Sequence, residues 1–126
     1  MELEYYKDIS VPKFITRGIH EELPDLVIAL LYSETYNLSN DIRRAGDEVD
    51  YLTVIKIESK RVNDRLCSYH YTMSQENTEV VKSDTKILPV DKLFNGRVWV
   101  IEAWNGNPTP KILGEHYVTM LLPSEY

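Results

Sequence analysis

Two stretches, "VDYLTVIKIE" (49–58) and "LCSYHYTMS" (66–74), alternate with a period of two. Successive side chains leave a strand on opposite faces, so this period marks β-structure. In the first, Val49, Tyr51, Ile55 and Ile57 share a face. Asp50, Lys56 and Glu58 take the other, together with Leu52 and Val54. In the second, Cys67, Tyr69, Tyr71 and Met73 oppose Ser68, His70, Thr72 and Ser74. Only the polar link "SKRVND" lies between them, so the pair reads as a β-hairpin.

That parity decides the one arrangement in the chain that looks like a nucleophile and its base. Cys67 is the sole cysteine, and His70 is one of three histidines. A thiol–imidazole pair needs hydrogen-bond reach, roughly 3 Å. An odd separation on a straight strand sends the two groups to opposite faces. Cys67 is therefore expected inside with the tyrosines, as a small buried hydrophobe. His70 is expected on the wetter side.

The remaining elements fall around this hairpin. "PKFITRGI" (12–19) reads as a short strand ending in a turn at Gly18. "EELPDLVIALLYSETYN" is the best helix: Pro24 suits a first turn, Asp25 the positive end of the dipole. Leu26, Val27, Ile28, Leu30 and Leu31 give it a wide apolar stripe. Either this helix continues to Ala45, or Ser39 caps a second short one ending before Gly46. "NGRVWVIEAW" (95–104) and "EHYVTMLLPSEY" (115–126) are further strands. The expected fold is α+β, an antiparallel sheet of four to five strands with one main helix on one face. Its length makes the chain a single domain over 1–126, with 1–10 an arm or edge strand.

Charge narrows the class of function. The net charge is −6, and residues 1–50 carry the whole excess, with eleven acids against five bases. Such a chain repels phosphate backbones, so direct nucleic-acid binding is disfavoured. A basic protein would be attracted. A single cysteine, an acidic N-terminus and no long apolar run point to a soluble cytoplasmic protein away from membranes.

Motifs for chemistry are sparse. The five glycines are too scattered for a phosphate-cradling loop, and no Gly-x-Ser-x-Gly elbow occurs. "HEELPD" (20–25) lacks the His-x-x-x-His register of a zinc site. "GDEVD" (46–50) lacks the ligand ladder of a calcium loop. No catalytic residue, cofactor or metal is therefore expected. The residues picked out for partner binding are Trp104 and Ile112, flanking two loop prolines, and the acids Asp47, Glu48 and Asp50.

Four stretches occur in an order that suggests kinship: "FITRGIHEELP", "GDEVDYLTVIKI", "RVWVIEAW" and "YVTMLLPSEY". Together they resemble the family catalogued as domain of unknown function 960, over most of residues 13–126. The ten-residue lead and the long 105–114 loop depart from its pattern. The resemblance implies a compact α+β fold in small cytoplasmic proteins of Gram-positive bacteria, their phages and mobile elements. It carries no catalytic residues.

The expected function is a non-enzymatic interaction protein linked to phages or mobile elements. It would dock on a host protein, for example a basic nucleic-acid-binding one, and could inhibit a defence system such as CRISPR. The rival reading is a small-molecule binder that sequesters a nucleotide, since nine tyrosines offer stacking surfaces. A small enzyme using His70 or His116 as base ranks behind both. Self-pairing into a homodimer is expected if a long sheet edge is exposed.

Overall fold

A computed structural model of the chain describes residues 12–103 and 117–126. The elements run β1 (Lys13–Ile15), α1 (Arg17–Glu22), α2 (Asp25–Arg44), β2 (Leu52–Arg61), β3 (Cys67–Ser74), β4 (Lys82–Leu88), β5 (Gly96–Ala103) and β6 (Tyr117–Leu121). A 3₁₀ turn over Pro123–Glu125 follows. The strands form a six-stranded sheet in the order β1-β6-β5-β2-β3-β4.

The class is α+β with one main helix packed on the sheet, as the periodicities require. The strand count and direction need correcting. Six strands replace four or five, and the sheet is mixed, because β1 pairs parallel to β6 while every other pair is antiparallel. The added strand is β4. "KSDTKIL" is exposed along nearly its whole length, so no buried face imposes an alternation to read.

The segment 12–19 also differs from expectation. Its strand stops at Ile15, and Thr16 caps a helix, its Oγ1 accepting the Ile19 N–H at 3.4 Å. Gly18 thus sits in α1 rather than in a turn.

α2 is one continuous helix through Arg44. Ser39 is buried inside it and donates to the Thr35 carbonyl, so it caps nothing. The helix stops by a Schellman motif: Gly46 N–H donates to the Arg43 carbonyl and Asp47 N–H to that of Ile42. Gly46 has φ 84°, which a side chain resists. The buried stripe is Val27, Ile28, Leu31, Thr35, Leu38, Ser39 and Ile42. Leu26, expected within it, is exposed.

That stripe covers the sheet's inner face, where Ile55 and Ile57 of β2, Cys67, Tyr69, Tyr71 and Met73 of β3, Val98 and Val100 of β5 and Met120 of β6 complete one core. The parity of β3 is as expected: its burial alternates strictly along the strand. In β2 the strand begins only at Leu52, so Tyr51 lies beyond it and is exposed.

Candidate interaction surface

α2 ends at the same edge of the molecule where β2 begins and β3 passes into β4. The acidic turn after Gly46 is bound there to the 75–81 connection. Asp47 Oδ2 accepts from Thr78 Oγ1 at 2.6 Å. The Asp50 N–H donates to Gln75 Oε1 at 2.7 Å, and Gln75 Nε2 donates to Thr53 Oγ1 at 3.0 Å. Gln75 is buried, so this clamp is shielded from water and ties two loops to β2. Asp50 Oδ1 also accepts the Tyr51 N–H.

The clamp gathers carboxylates that are distant in sequence. Asp47, Glu48 and Asp50 come from the first loop, Glu76 and Glu79 from the second. Neither 45–51 nor 75–81 contains a lysine or arginine. The cations that flank the two loops in sequence turn back onto the helix: Arg44 to Asp41 at 3.1 Å, and Lys82 to Asp41 at 3.7 Å and Glu34 at 3.9 Å. The result is an acidic pole with two apolar side chains at its ends, Tyr51 (52% exposed) and Val81 (54% exposed).

The outer face of the sheet runs down from this pole. Cross-strand register places Leu52 beside Ile101, and Val54 beside Trp99. Phe14 lies opposite Thr119 and packs edge-on against Tyr117. Tyr126 stacks edge-on against Trp99 at 5.5 Å. Apart from Ile87 at the far edge, the rest of the face is polar: Lys56, Glu58, Arg97 and the hydroxyl row of β3 and β4. There His70 Nδ1 lies 2.7 Å from Thr85 Oγ1, and Nε2 lies 3.4 Å from Ser83 Oγ. Cys67 is buried on the opposite face, so the thiol and the imidazole do not meet.

Of the residues expected to bind a partner, Asp47, Glu48 and Asp50 are brought together at the pole. Trp104 and Ile112 lie outside the described residues, as do His116 and the 1–10 arm. Sequence reasoning missed Glu76, Glu79, Tyr51 and Val81. The signal for the glutamates was present: "SQENTEVV" has two acids and no base.

Three of the described tyrosines serve the fold. Tyr71 OH donates to Glu34 Oε2 at 2.6 Å, and Tyr69 OH to the Lys92 carbonyl at 2.6 Å. Tyr32 OH donates to the Phe14 carbonyl at 2.5 Å. Burial pushes all three phenols up, and the Glu34 charge adds to the rise at Tyr71, so none ionises near neutral pH. Among the described residues, no three of the His, Cys, Asp and Glu side chains converge to hold a metal ion. No described helix is long and apolar enough to cross a membrane.

No family model matches the chain. No curated protein matches it either. Among solved structures, the crystal structure of the protein of unknown function from Enterococcus faecalis is similar, with a TM-score of 0.54 and 21% identity over 94% of this chain and 93% of that one. The likeness establishes a shared fold.

Proposed function

We propose that this chain is a non-catalytic binding module that docks a basic protein through its acidic pole. The observation that carries this reading is the clamped pair of loops: five carboxylates without a lysine or arginine among them, bordered by exposed Tyr51 and Val81. Charges at such a rim steer encounter and select the partner, while flanking apolar groups supply desolvated contact. The carboxylates would occupy lysines and arginines that otherwise hold phosphates. A nucleic-acid-binding host protein, such as a CRISPR effector nuclease, is the partner this chemistry suits. Kinship with the domain of unknown function 960 family, and the phage or mobile-element setting it implies, belong to the same proposal. Tyr69 and Tyr71, spent in the core, offer no stacking surface to a sequestered nucleotide.

The test replaces Asp47, Asp50, Glu48, Glu76 and Glu79 together by their amides, which keep the acceptors that Thr78 and Tyr51 use. Binding to a purified effector nuclease is measured by calorimetry at low and physiological salt. Exposed ion pairs are worth a few tenths of a kcal/mol each, so affinity is expected to fall about tenfold. Wild-type binding should weaken with salt. Equal binding by a folded amide variant, or no wild-type binding, overturns the reading.

A further inference from the structure

The geometry points to β4 as a self-complementary edge through which two copies of this chain pair into one continuous sheet. Among the described residues, β4 is bonded only to β3 and ends the sheet. Its seven residues contain no proline, and Pro89 follows only after the strand ends. The opposite edge differs: β1 has three residues, and the Tyr32 hydroxyl covers the Phe14 carbonyl.

The backbone direction of β4 is fixed by the ladder. Tyr51 offers its carbonyl to Glu102 of β5, so odd residues of β2 face β5 and even ones face β3. Carried across the register, the even residues of β4 bond β3. Ser83, Thr85 and Ile87 direct their N–H and C=O groups outward. The Thr85 N–H accordingly lies outside the β3 ladder: it donates to Asp84 Oδ1 at 2.7 Å, a bond that pairing exchanges for the partner's carbonyl.

An antiparallel two-fold axis at Thr85 then places Asp84 opposite the partner's Lys86, and Lys86 opposite the partner's Asp84. Ser83 falls opposite the partner's Ile87, and Lys82 opposite the partner's Leu88. No like charges face each other directly. Ile87, 60% exposed, comes diagonally beside the partner's Val81, within reach of an apolar contact. Lysines usually blunt an edge against pairing. Here Lys82 turns toward Glu34 and Asp41 on α2, and Lys86 already holds Asp84 at 3.1 Å. The charges that repel other strands therefore suit a second copy. This inference is independent of the acidic pole, and amide replacement there should leave it untouched.

Sedimentation of the full chain over a concentration series tests it. Wild type is expected to dimerise reversibly. Asp84→Lys or Lys86→Asp alone sets like charges across the axis and should weaken the dimer at least about tenfold. The double exchange Asp84→Lys with Lys86→Asp restores opposite charges and should recover it. Thr85→Pro removes an outward N–H without cutting the β3 ladder, and should also give monomer. Circular dichroism identifies folded variants. A wild type monomeric throughout, folded single reversals that dimerise like wild type, or a folded double exchange that fails to recover would each overturn the proposal.

Discussion

Glu125 binds three donors at once: Thr16 Oγ1 at 2.5 Å, the Gly18 N–H at 3.0 Å and the Leu122 N–H at 2.9 Å. The approach depends on Gly18, where an added Cβ would lie 2.7 Å from the carboxyl carbon. Thr16 first, then the Leu122 and Gly18 amides, hold this carboxyl below the ordinary glutamate range. A carboxyl depressed in the folded state stabilises the fold above its unfolded pKa and loses that contribution as pH falls. Asp84, held low by the Thr85 N–H and Lys86, acts with the same sign. Glu125→Gln is therefore expected to lower Tm at neutral pH. It should also flatten the fall of Tm below about pH 4.3, the unfolded glutamate value. Thermal melts across pH check this, and parallel profiles for the two proteins would refute it. At this scale the sequence was informative where one face is buried. Cys67 and His70 diverge as parity demanded. Glu125 was illegible, because two of its three partners, Thr16 and Gly18, lie more than a hundred residues away.

Elements were legible in proportion to how strongly one side is buried. The β2–β3 hairpin and α2 are amphipathic and stood out. β4 is exposed on both sides and left no pattern. α1 is only six residues long, too short for a period to emerge. The length of α2 was ambiguous because Ser39 is a good cap in isolation. Burial of its hydroxyl against the Thr35 carbonyl decided the matter. The true stop, Gly46, was visible as a glycine after a basic pair. Replacing it isolates backbone strain, since a Cβ there meets nothing within 4 Å. Gly46→Ala is expected to cost about 1 kcal/mol in urea denaturation, and Gly46→Asn less. No loss in the alanine variant would show that the turn relaxes out of its left-handed conformation.

Across the whole molecule, what could not be read was which distant segments become neighbours. Three acids of the pole were visible as a run, but their union with Glu76 and Glu79 needed the Gln75 clamp. The parallel pairing of β1 and β6 was hidden for the same reason: residue 13 lies opposite residue 118. Joining such remote partners costs loop-closure entropy before any bond repays it. During synthesis on the ribosome, β1 cannot meet β6 until two helices and four strands have emerged. Protease protection of stalled chains of increasing length should show β1 cleavable until β6 clears the exit tunnel. Protection appearing earlier would mean β1 docks first on something else. The first strand described is thus the last able to take its place, and it acts as the fastener of a sheet otherwise assembled from its middle.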